Sequence, residues 1–190
     1  MVQKSFKERV KDTLILCAKE YKNYYVDYEY LIVSQAFVKN SYYIVSAHED
    51  NYLHLTGVHT NLTASDFFDK CYTGTLKESD FDFFKNGQIE KTVKGSVRRK
   101  IANFAMIMSM FTSSTMVEED FKKNRIKCTL AAANASVTLG FIVVGKARPM
   151  TLLKGNELDL NKSKQIDLVL RRRSGSSKFT DIIAGSIDVL

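Results

Sequence analysis

An α+β fold built on an antiparallel sheet is the architecture this sequence predicts, and three observations carry it. The chain opens on a helical stripe, places helical segments in its middle, and concentrates β-branched and aromatic runs before residue 50 and after residue 125. Phe6, Val10, Leu14, Cys17 and Tyr21 recur at i, i+4, i+8, i+11 and i+15, the apolar face of a helix over about residues 3–24. Two strands follow at 29–37 and 42–48, with Lys39-Asn40 as their turn. Thr63-Ala-Ser-Asp66 reads as an N-cap that starts a short helix through Tyr72, ended by Gly74. A second short helical piece covers 79–85 and stops at Asn86-Gly87. The longest helix covers 93–111, basic in its first turns and then so uniformly apolar that burial on all sides is expected. Met106, Met108 and Met110 read as core filling there. Residues 125–133, 137–146 and 165–172 then read as strands, with 178–185 a fourth. Residues 147–155, which hold Pro149, read as a polar loop.

Composition bounds the reading further. A chain of 190 residues with 45% hydrophobic residues, one proline and nine glycines is expected to form one domain over 1–190, an N-terminal helix over 1–26 and a core over 27–190. No apolar leader follows Met1, and the longest apolar run, 101–111, is too short for a bilayer, so a cytoplasmic protein with no membrane partner is expected. Cys17, Cys71 and Cys128 are odd in number and widely spaced, as buried free thiols are. Charge is uneven. From 49 to 90 there are eight acids and three lysines; from 91 to 100, five basic residues and no acid; from 146 to 178, nine basic residues and three acids. A basic face of this kind suits phosphates or an acidic partner surface.

The stretch Asn51-Tyr-Leu-His-Leu-Thr-Gly-Val58 follows the second strand. If it is extended, His54 and Thr56 share one face just before a glycine turn, a proton-transfer group beside a hydroxyl. No Walker loop, dinucleotide fingerprint, CxxC pair or Gly-x-Ser-x-Gly elbow is present, and no histidine, cysteine and carboxylate cluster has metal spacing. No cofactor and no metal are expected.

Tyr52–Val58, Ala64-Ser-Asp-Phe-Phe-Asp-Lys-Cys71, Gly74-Thr-Leu76, Arg148-Pro-Met-Thr-Leu-Leu-Lys154 and Lys178-Phe-Thr-Asp-Ile-Ile183 together resemble the phage-associated nucleases of the barnase–EndoU–colicin–RelE class. The resemblance implies helices followed by a four-stranded antiparallel sheet, to which this chain adds an N-terminal helix and strand pair. It also implies metal-independent cleavage of RNA, such as tRNA, in the bacterial host of a phage or mobile element.

On that reading the 2′-hydroxyl is the internal nucleophile, and His54, whose type titrates near neutrality, is the acid or base. Thr56 holds a phosphate oxygen or orients His54. Arg148, Thr151 and Lys154, spaced by three, meet in one anion site if their loop makes a helical turn. Lys94 and Arg98, at i and i+4 near a helix N-terminus, add a second wall. The expected partner is RNA. The alternative is a non-catalytic protein that binds a host enzyme or defence protein through its charged faces, and oligomeric state is left open.

Overall fold

The computed structural model describes residues 4–112 and 114–189. Helix α1 (Phe6–Tyr21) starts at a reciprocal cap: Ser5 Oγ accepts from the Glu8 amide at 3.0 Å, and a Glu8 carboxylate oxygen accepts from the Ser5 amide. Its stripe buries Val10, Leu14, Cys17 and Tyr21, as the spacing predicts. Position 3 of the expected helix lies outside the described residues. The helix runs on into a π-helical turn, Lys22–Val26, which seats Tyr25 in the core with its hydroxyl on the Ile107 carbonyl at 2.6 Å.

Strands β1 (Tyr28–Val33) and β2 (Tyr43–Ser46) follow, then helices α2 (Asn51–Thr56), α3 (Ala64–Thr73) and α4 (Glu90–Asn103). The Thr63 cap forms as expected, its Oγ1 accepting from the Asp66 amide, and Gly74 ends α3 in the left-handed region. Two expected helices are shortened. The 79–85 piece is one 3-10 turn, Glu78–Asp80, and the 93–111 helix is α4 followed by a 3-10 segment, Phe104–Ser109. The 3-10 segment buries Phe104 and Ile107, and Met110 follows them into the core, but Met106 is 46% exposed. Only one side of that apolar run is covered.

The remaining strands are β3 (Met116–Glu119), β4 (Lys122–Lys123), β5 (Ile126–Lys127), β6 (Leu130–Ala133), β7 (Val137–Val144), β8 (Lys146–Lys154), β9 (Lys164–Gln165), β10 (Leu168–Arg173) and β11 (Asp181–Gly185). Nine of the eleven strands among the described residues form one sheet in the order β11-β10-β1-β2-β8-β7-β6-β3-β9, and β4 and β5 pair separately. The α+β class is as predicted. The four-stranded sheet is not: the N-terminal pair β1 and β2 is built into the same sheet as the C-terminal strands. Two things cause this. β2 joins β8 through one parallel pair, Val45 with Ala147, and β10 closes on β1 over six antiparallel pairs. Residues 147–155 are also no loop, because β8 occupies nearly all of them. Pro149 is accommodated beside a bulge, where Phe141 pairs with Pro149 and Gly140 with Thr151, leaving Met150 as the extra residue.

One face of the sheet carries the main core. Tyr30, Ile32, Val45, Ala147 and Leu152 pack there with α1 to α4. Tyr52, fully buried, meets Tyr21, Phe68 and Phe104 with ring centroids 5.1, 5.3 and 5.2 Å away. On the other face a smaller cluster gathers Phe121, Cys128, Ala131, Ala133 and Leu158.

Gly140 sits where that cluster meets the bulge. A Cβ there would lie 2.5 Å from Cys128 Sγ and 2.9 Å from Thr151 Cγ2. Gly140→Ala is therefore expected to destabilise the protein by about 1–3 kcal/mol through overpacking. Cys128→Ala should restore part of the loss, and urea unfolding of the single and double variants checks both.

Candidate active site

The sheet face opposite Tyr30 and Ile32 holds a linked group of charged and hydroxyl side chains. Alternation along β1 sends Tyr30 and Ile32 into the core and Glu29 to the opposite face. Register does the rest. Glu29 is directly opposite Ser46 on β2 and Arg172 on β10, so the three line up across three strands. Lys146, at the start of β8, arrives from the fourth strand through the Val45–Ala147 pair.

Glu29 is only 4% exposed. One of its carboxylate oxygens accepts from Ser46 Oγ at 3.1 Å and from Lys146 Nζ, and the other from Arg172 Nε at 2.8 Å. Burial by itself raises its pKa, but hydrogen bonds from Lys146 and Arg172 outweigh it and hold the carboxyl below the usual glutamate range. Beside it lies a cavity of about 510 Å³ lined by Ser46, His48, Lys146, Arg148 and the Ser174-Gly175 turn as well as Glu29 itself. The His48 backbone is fixed on both sides: its amide donates to Asn51 Oδ1 at 2.9 Å, and its carbonyl accepts from Tyr21 Oη at 3.2 Å. An ionised carboxylate, an imidazole, two cations and a hydroxyl thus line one cavity. That set can take up a proton, give one back and stabilise a developing anion.

The sequence-predicted residues fall in three places. His54 and Thr56 are on α2, not on a strand, and this overturns the shared face. The segment is helical because Tyr52, Leu55 and Thr56 recur at i, i+3 and i+4 and all three are buried, with Gly57 closing the helix at φ 77°. Two helical residues apart is about 200° around the axis, so His54 faces solvent while Thr56 faces inward. The Thr56 hydroxyl is spent locally, donating to the Leu53 carbonyl at 2.8 Å and accepting from the Val58 amide. No side-chain hydrogen bond holds the His54 ring among the described residues.

Arg148, Thr151 and Lys154 do not meet in a helical turn either, because β8 is extended there. Arg148 lines the Glu29 cavity, whereas Thr151 and Lys154 line a second cleft with α4. Lys94 and Arg98 are both on α4 but are engaged structurally: Lys94 pairs with Glu90 at 2.8 Å, and the Arg98 guanidinium lies over the Phe6 ring. Of the other histidines, His59 is tied to Asp82 at 3.0 Å.

Sequence reading missed Glu29, Ser46, His48 and Lys146 as site residues. A glutamate inside the aromatic run Tyr28-Glu-Tyr-Leu-Ile32 was the available signal, since a strand buried on both faces has little use for a carboxylate without partners.

A family model described as phage-Barnase-EndoU-ColicinE5/D-RelE like nuclease4 matches residues 13–148. The chain belongs to that nuclease-like family. The matched span runs from α1 to the start of β8 and includes Glu29, Ser46, His48, His54, Lys146 and Arg148. Arg172 lies beyond it. No curated protein and no solved structure matches the chain. No helix of the described residues is long and apolar enough to cross a membrane.

Proposed function

We propose that this family member is an endoribonuclease that cleaves RNA, tRNA among its substrates, by internal attack of the 2′-hydroxyl and without a metal. The observation that carries the reading is the Glu29 cavity, in which a buried, ionised carboxylate, an imidazole and cations line one space. Glu29 removes the proton from the 2′-hydroxyl, whose oxygen forms a bond to phosphorus. The bond from phosphorus to the 5′-oxygen breaks, and that oxygen takes a proton from protonated His48. The products are a 2′,3′-cyclic phosphate and a 5′-hydroxyl. Lys146 and Arg148 face the extra negative charge of the intermediate. Glu29 is ionised at neutral pH and so stands in its proton-accepting form.

His54 is the competing acid. Its ring is exposed and its carbonyl accepts from Lys100 Nζ at 3.1 Å, which puts it next to the second, cationic cleft. Incubation of the full chain with an oligoribonucleotide and its deoxy counterpart in EDTA separates the two. Cleavage of the ribo-oligonucleotide alone is expected. His48→Ala is expected to lower it by about 10²–10⁴-fold, as loss of a general acid does, and His54→Ala by far less. The reverse pattern moves the acid to α2, and unchanged cleavage in both variants removes the imidazole from the mechanism.

A further inference from the structure

The second cleft lies where β8 loses its neighbour. β2 pairs with β8 only at Ala147, so beyond that point the edge of β8 has no strand partner on this side among the described residues, and α4 and the Gly57 turn approach it instead. The resulting cleft, about 330 Å³, shares no lining residue with the Glu29 cavity. Lys85, Arg99, Lys100 and Lys154 line it, with Ser96 and Thr151 between them. No carboxylate lines it among the described residues.

These cations stand apart from the lysines that are held in ion pairs. Lys4, Lys22, Lys39, Lys70, Lys94, Lys123, Lys146 and Lys162 each pair with a carboxylate. Lys85, Arg99, Lys100 and Lys154 pair with none among the described residues, and the side-chain hydroxyls of Ser96 and Thr151 make no hydrogen bond within the described chain. Lys100 is the sharpest case. Lys100 is half-buried, and among the described residues its ammonium makes one hydrogen bond, to the neutral His54 carbonyl at 3.1 Å. The left-handed Gly57 leaves room for this, since a Cβ there would lie 3.0 Å from Lys100 Cδ. Burial, with Lys85 nearby, pushes the Lys100 pKa down to about 8. Four like charges around a recess repel one another, and an anion with several acceptor oxygens offsets that repulsion.

We propose that this cleft is a phosphate-binding subsite, in which Lys85, Arg99, Lys100 and Lys154 surround one backbone phosphate of a nucleic-acid strand whose reacting bond lies in the Glu29 cavity. The source of the phosphate rests on the nuclease reading; the binding does not. A phosphodiester presents the tetrahedral oxygens that ammonium and guanidinium donors approach from several sides, and such contacts position a strand without reading its sequence.

Thermal unfolding of the full chain in inorganic phosphate, against chloride at matched ionic strength, tests the cleft directly. Phosphate is expected to raise the midpoint of the wild type and to leave that of Lys100→Met unchanged. Lys100→Met is also expected to melt higher than the wild type in phosphate-free buffer, because it removes an unpaired charge. Lys85→Ala with Lys154→Ala serves if Lys100→Met does not fold, and Lys19→Ala on α1 is the surface control. Binding of an oligoribonucleotide, measured with Glu29→Gln protein, should weaken evenly across sequences in the cleft variants, and the salt slope should fall by about 0.7 for each phosphate-binding cation removed. A phosphate response no larger than that of chloride, or equal in Lys100→Met and the wild type, overturns the subsite. Failure of the nuclease reading looks different: no cleavage by the wild type, with the phosphate response intact.

Discussion

Glu29→Gln is expected to abolish RNA cleavage, by about 10²–10⁴-fold if the carboxylate acts only as the general base. The substitution keeps the side-chain volume and the acceptor for Ser46 but removes the proton-accepting charge. Its structural cost is separable. Lys146 and Arg172 lose their anion, and with Arg172 mostly buried the loss of folding stability is about 3 kcal/mol. The pH dependence gives a second readout. The folded-state pKa lies below the unfolded one, so the carboxylate's stabilisation is fully present above the ordinary glutamate range and is lost as pH falls through the folded value. Wild type should therefore lose more stability than Glu29→Gln on acidification below that range. Urea midpoints between neutral pH and pH about 3 check it, alongside cleavage rates at neutral pH. Equal cleavage by both proteins would falsify the catalytic assignment while leaving the ion-pair cluster as a structural device.

Tyr52→Ala is expected to produce the largest loss of stability, about 3–5 kcal/mol, from a full-sized cavity at a site with no exposure. Three aromatic rings surround Tyr52, and its hydroxyl donates to the Leu14 carbonyl at 2.6 Å, which ties α2 to α1. Tyr52→Phe removes only that hydrogen bond and should cost about 1 kcal/mol. His54→Ala, two residues along and exposed, should fall within about 0.5 kcal/mol of the wild type. This contrast tests the helical packing of 51–56, because an extended segment would place residues 52 and 54 on the same face and make them respond alike. Chemical denaturation of the three variants decides it.

Much of the local structure was legible. The α1 stripe, the Thr63 cap, the Gly74 stop and the strands around β1, β2, β6, β7 and β10 follow from periodicity and capping chemistry, which act between residues close in sequence. The failures share one cause. His54-Leu-Thr56 alternates polar and apolar as a strand does, yet a buried partner for Tyr52 on α1 and α3 selects the helix. Pro149 marked residues 147–155 as a loop, yet a bulge opposite Gly140 admits it to a strand. In the first case a partner on another helix overrode the local signal, and in the second the adjoining strand of the same hairpin did.

The candidate site divides the same way. Residue chemistry by itself determined the family resemblance, the basic bias of the last third, and three residues that do line recesses, Arg148, Thr151 and Lys154. Only the tertiary structure decided that Arg148 belongs with Glu29 while Thr151 and Lys154 belong with Lys100. The reason is geometric. Glu29, Ser46, Lys146 and Arg172 come from four strands separated by up to 143 positions, and cross-strand register, which brings them within hydrogen-bonding distance, is set by the pairing of whole strands rather than by any local run of residues.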